Sequence, residues 1–140
     1  MLIMERSMEL PQILESVKGR KVAIWTCNTC ARLCNGMGGD AAAERLAQYL
    51  RDNGVEVTGT LSTSASCLRA KVAAKSSPVI GSADVIISMT CDVGADNARK
   101  VFGKEVLEPF ATLGTGFLDE DGVPFLKDGT PVSGRSFPLL

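Results

Sequence analysis

The residues of this chain best suited to chemistry are its five cysteines, and three of them crowd into Cys27-Asn28-Thr29-Cys30-Ala31-Arg32-Leu33-Cys34. Thiolates are soft ligands and good nucleophiles. A C-x2-C-x3-C run therefore suits capture of an iron-sulfur cluster or of zinc, while its C-x-x-C portion also suits thiol-disulfide exchange. Cys67 and Cys91 stand alone further along. The sequence has no histidine, which removes imidazole bases, His-bound zinc and His-ligated haem. One Trp, one Tyr and five Phe leave little material for aromatic cages or base-stacking platforms. With 15 Lys+Arg against 16 Asp+Glu, the net charge of -1 provides no basic field for nucleic acid or for an anionic membrane surface.

The odd number of cysteines argues against a secreted disulfide framework, as do Glu5, Arg6 and Glu9 where the apolar part of a signal peptide would lie. The apolar runs fall far short of the about 20 residues that span a bilayer. The expectation is a cytoplasmic protein without membrane insertion, in which clustered thiols stay reduced and serve as ligands or redox groups.

The elements that position these cysteines can be read from hydrophobic periodicity. Leu10, Ile13, Leu14 and Val17 predict an amphipathic helix within 7–17, so residues 1–20 are expected to form an N-terminal helical cap. Residues 21–26 (KVAIWT) and 83–90 (ADVIISMT) read as buried strands, 55–61 as a further strand, and 107–113 as one more short strand despite Pro109. Helices are expected over 41–52, with Asp40 as its N-cap, over 66–76 and over 96–102, with Asp92 and Asp96 near its start. The alternation predicts a small three-layer α/β fold: a parallel sheet in strand order 2-1-3-4 with right-handed crossovers of Rossmann or flavodoxin type. Beyond residue 116, Phe117-Leu118 and Pro124-Phe125-Leu126 predict a hairpin and tail over 117–140. All 140 residues are expected to form one domain, with the cysteine site in the 21–116 core.

Every cysteine follows a predicted strand: Cys27, Cys30 and Cys34 the first, Cys67 the second, Cys91 the third. In a parallel sheet those three loops are neighbours along the carboxyl edge, where open α/β sheets bind ligands. Cys27, Cys30 and Cys34 are expected to ligate one centre, with a fourth thiolate from Cys67 or Cys91 and the remaining thiol lining the site. The switch-point crevice between the first and third strands favours Cys91. One compact triplet with isolated thiols suits a cluster better than zinc, which prefers paired C-x2-C knuckles. Gly36-Met37-Gly38-Gly39 is expected to let the backbone approach that centre. Arg32, Arg69 and Lys71 lie near it in sequence and are expected to be solvated.

Taken in order, these motifs resemble a known family. The carrying residues are Cys27-x2-Cys30-x3-Cys34 with Gly38-Gly39, then Cys67-Leu68, then Ala83-Asp84 opening the apolar strand that ends in Cys91, and Thr112 and Thr115 within 108–116. The pattern is similar to the methylenetetrahydrofolate reductase C-terminal domain, the small iron-sulfur subunit of the two-subunit reductases of anaerobes. The likeness spans 21–116. It implies one cysteine-bound cluster, of [4Fe-4S] type, in a non-catalytic subunit that docks on a larger flavin-dependent oxidoreductase of one-carbon metabolism, with flavin and folate held by that partner. Members of the family typically continue into a second cysteine-rich segment, whereas no cysteine follows Cys91 here.

The leading expectation is an electron-transfer or scaffold subunit, with Leu33, Met37 and Phe117 as a candidate apolar docking rim. A zinc-stabilised interaction module and a thiol-dependent redox protein using Cys27 and Cys30 are the alternatives.

Overall fold

The computed structural model describes residues 1–132 and 137. Its centre is a four-stranded parallel sheet of β2 (Lys21–Cys27), β3 (Glu56–Thr63), β4 (Val85–Met89) and β5 (Glu105–Leu107) in the order β3-β2-β4-β5. Taken in chain order, these four strands stand 2-1-3-4, as the sequence predicts. Alternation along the strands feeds two cores. Val22 and Ile24 of β2 join Val85, Ile87 and Met89 of β4 on one face, against Ala43, Leu46, Ala47 and Leu50 of α3 (Asp40–Asp52). Ala23, Trp25 and Ile86 point to the other face. There they meet Val72 of α4 (Arg69–Ala73), Ile80 of α5 (Pro78–Gly81), and Ala95 and Ala98 of α6 (Asp92–Phe102). Both faces being covered is why the central strands β2 and β4 read as continuous apolar runs.

The N-terminal region departs from the sequence expectation. Helix α1 (Leu10–Val17) is present, with Glu9 N donating to Gln12 Oε1 at 2.7 Å, but it is preceded by a strand, β1 (Leu2–Arg6). Strand β1 pairs antiparallel with β6 (Phe110–Leu118), which pairs in turn with β7 (Pro124–Leu126), making a second sheet in the order β1-β6-β7. A register shift between Ile3 and Met4 leaves both fully buried, so the period-2 signature of a half-buried strand is broken where it would have been read. The fourth predicted strand, 107–113, straddles a boundary. Pro109 separates β5, which ends the parallel sheet, from β6, which belongs to the second one.

The predicted hairpin pairs Phe117 with Phe125 and Leu118 with Pro124. The rest of the tail at 133–136 and 138–140 lies outside the described residues. Asp40 opens the first turn of α3, and its N-cap is Gly39, at φ 94°. Helix α6 starts four residues earlier than predicted, at Asp92, with Cys91 as N-cap. Between Cys67 and Ser82 there are two short helices in place of one. Among the described residues no helix is long and apolar enough to cross a membrane.

Candidate metal centre

Strand β2 ends on Cys27, β3 is followed by the loop 64–68, and β4 is followed by Thr90 and Cys91. Because β2 lies between β3 and β4, the three carboxyl-end loops meet. They enclose a cavity of about 280 Å³ lined by Cys27, Cys30, Cys67 and Cys91, with Met1, Leu2, Ala31 and Ala65 as apolar wall and Thr29 and Thr115 as hydroxyl neighbours. Cys27 and Cys91 are buried, Cys30 is half-buried and Cys67 is exposed, so the cavity runs from the core to the surface.

Cys34 is not part of that lining. Helix α2 (Cys30–Leu33) lasts four residues, and its C-cap, Cys34, turns inward. The Cys34 thiol is fully buried and donates to Met4 O of β1 at 3.3 Å. Of the five candidate residues, then, the fold brings Cys27, Cys30, Cys67 and Cys91 to one cavity and sets Cys34 beneath α2. Cys67 and Cys91 both line it, the two positions between which the sequence leaves the fourth thiolate open.

Each loop is held by specific contacts. Asn28 N donates to Thr63 O at 2.9 Å, the Thr29 hydroxyl donates to Ser64 O, and Cys27 Sγ lies 3.9 Å from that same carbonyl, stitching the β2 loop to the β3 loop. Asn28 also receives Asp40 N on Oδ1 at 3.1 Å and donates through Nδ2 to Asp40 Oδ2 at 3.3 Å, which ties the C-x-x-C turn to the start of α3. Arg32 Nε donates to Asn28 O at 2.8 Å.

The Cys67 loop is fixed from the other side. Asn97 Nδ2 of α6 donates to Ser66 O at 3.1 Å, and Arg69 Nε donates to Asn97 Oδ1 at 3.1 Å. Asp92 N donates to Thr112 Oγ1 at 2.8 Å, joining the Cys91 loop to β6.

Two glycines permit the close approach. A Cβ at Gly38 would lie 2.5 Å from Ala31 Cβ and 2.8 Å from Met89 O, so only glycine lets the 36–39 turn pass between α2 and the end of β4. A Cβ at Gly94 would collide with the Ser66 and Thr90 hydroxyls, so glycine lets α6 settle against the Cys67 loop. The glycine-rich turn thus makes room for packing between α2 and β4, and none of residues 36–39 lines the cavity that the sequence expects its backbone to approach. Met37, however, is fully buried and cannot belong to a docking rim, whereas Leu33 and Phe117 are 38% and 49% exposed.

Burial pushes the Cys91 thiol up from its ordinary pKa, with the neighbouring Cys30 and Asp92 adding to the rise and the amides of Val93 and Gly94 opposing it. Burial likewise pushes the Cys34 thiol up. Protonated thiols suit a metal-free site, and binding a metal would release those protons.

By residue type the donor set suits a soft metal: four cysteines line one apolar cavity and none of its lining residues is acidic. Among the described residues no three Cys, Asp or Glu side chains stand close enough to share one metal ion. Sequence reasoning missed the wall supplied by Met1, Leu2 and Thr115, because it depends on β1 pairing with β6, a contact with no local signal. Comparisons with protein-family models, with curated proteins and with solved structures found no match to this chain.

Proposed function

We propose that this chain is a small electron-transfer or scaffold subunit holding one iron-sulfur cluster through Cys27, Cys30, Cys67 and Cys91, with Cys34 as a buried structural thiol. The observation that carries the reading is the delivery of four thiols, by three carboxyl-end loops of one parallel sheet, to a single apolar cavity. Four cysteines are the ordinary ligand set of a [4Fe-4S] cluster, and each thiolate binds its own iron. A cluster thus accepts thiols set further apart than those around a single tetrahedral zinc.

When bound, the cluster supplies one-electron transfer. The chain's own residues hold it, shield it with Met1, Leu2, Ala31 and Ala65, and leave Cys67 toward solvent as the nearest route to a partner. Leu68 and Val93, one and two residues beyond Cys67 and Cys91, are 51% and 42% exposed and provide apolar contact beside that route. The partner is a larger oxidoreductase subunit, and the resemblance of the cysteine motifs points to a flavin-dependent methylenetetrahydrofolate reductase.

Anaerobic isolation followed by iron and sulfide analysis, with EPR after dithionite, tests this. About four irons per chain are expected for one such cluster. Cys27→Ser, Cys30→Ser, Cys67→Ser and Cys91→Ser should each lose most of that iron, and Cys34→Ser should keep it. Stoichiometric zinc without iron would replace the reading with an interaction module, and iron lost with Cys34→Ser as well as with Cys27→Ser and Cys30→Ser would restore the triplet to the ligand set.

A further inference from the structure

Segment 57–83 carries Arg69, Lys71 and Lys75 and no Asp or Glu, in a chain whose net charge is -1. The fold concentrates that excess at the carboxyl end of β3. A second cavity of about 340 Å³ opens there, lined by Asn28, Ser62, Thr63, Ser64, Lys71 and Lys75. Its lining offers two ammonium groups and three hydroxyls and contains no carboxylate. Neither Lys71 nor Lys75 is in an ion pair among the described residues. Lys71 Nζ donates to Ser64 Oγ at 2.8 Å, which leaves the Ser64 hydroxyl proton and the other two ammonium protons available to a ligand. Asp40, the carboxylate tied to the lining, already accepts from Asn28 Nδ2.

We propose that this cavity binds the phosphoryl group of a small phosphorylated ligand. Two cations balance a dianion, and five donor groups exceed what a carboxylate's two oxygens need while matching the three terminal oxygens of a phosphate. The position follows the rule that open α/β sheets bind ligands beyond the carboxyl ends of their strands. The loop residue Ser64 serves both cavities: its carbonyl accepts from Thr29 in the β2 loop that carries Cys27 and Cys30, and its hydroxyl faces the lysines. The phosphoryl site needs no metal in the neighbouring cavity, so it stands or falls independently of the cluster.

Titrating the ¹⁵N-labelled chain with inorganic phosphate and then with adenosine monophosphate, at ionic strength held constant with chloride, tests it. Saturable shifts are expected at the amides of Ser62, Thr63, Ser64 and Lys71. Lys71→Ala should weaken binding about tenfold, the worth of one charge-assisted contact. Lys71→Arg should retain most of it, and Lys71→Ala with Lys75→Ala should abolish saturation. Both lysines are exposed, so the variants keep the fold. Tighter binding of the nucleotide would identify an organic phosphate ester as the ligand, and equal binding a free phosphate. Shifts that never saturate, or a double variant that titrates like the wild type, would reduce the feature to surface charge and overturn the proposal.

Discussion

The turn at 27–34 and the two loops bearing Cys67 and Cys91 treat their cysteines in opposite ways. Three cysteines that are neighbours in sequence are separated by the fold, with Cys27 and Cys30 facing the cavity and Cys34 turned under α2 to Met4 O. Two cysteines that are distant from the turn and from each other are brought to it by strand order. Proximity along the chain is therefore a weaker predictor of a shared site than position on one sheet edge. Cys34, the C-cap of the one-turn helix α2 at φ -82° and ψ 87°, leaves the helical path and turns inward, whereas parallel strands deliver all their ends to the same side.

That contrast can be attacked most strongly at the glycine that seats α2. Gly38→Val forces a branched side chain between Ala31 and Met89 O, and should cost about 3 kcal/mol or more in urea unfolding. Gly36, at φ 64° and facing open space, should tolerate Ala at about 1–2 kcal/mol, the left-handed backbone cost alone. Equal losses at the two positions would mean that the turn is not wedged and that Cys34 is not held inward by it.

A smaller effect separates the buried thiol from the exposed one. In the metal-free chain, Cys34→Ser places a hydroxyl in the apolar core and should cost about 1–2 kcal/mol. Cys67→Ser, at an exposed position, should stay within about 0.5 kcal/mol. The comparison breaks if the two variants melt together.

The mildest test is pH. The Cys34 and Cys91 thiols have folded pKa values raised by burial, so above the unfolded thiol value of about 8.5 the native state holds protons that the unfolded chain has released. Stability of the metal-free chain is then full below that value and declines as pH rises toward the folded pKa values. Urea midpoints between pH 7 and pH 10 should fall, and fall less in Cys34→Ala. A flat profile would show that Cys34 is not desolvated.

The parallel sheet was readable because its strands are buried on both faces and leave continuous apolar runs such as KVAIWT and VIISM. The loops that carry the cysteines followed directly from it. What escaped reading was set by long-range or compensated features. β1 was hidden by the bulge that buries both Ile3 and Met4. The first turn of α6 was hidden by Gly94, a poor helix former that is needed because Ser66 and Thr90 lie where its side chain would go. The inward turn of Cys34 depends on where a one-turn helix stops, and the C-x3-C spacing says nothing about that.

The pairing of β1 with β6 also sets an order in time. Met1 and Gly116, which exchange hydrogen bonds across this pair, stand 115 positions apart. Synthesis at about 5 to 20 residues per second puts about 6 to 23 s between their appearances. The last strand of the parallel sheet ends at Leu107, so every cysteine loop has been made before the partner of β1 is complete. During that interval the thiol cavity lacks the wall formed by Met1, Leu2 and Thr115, and this side is the last to shut.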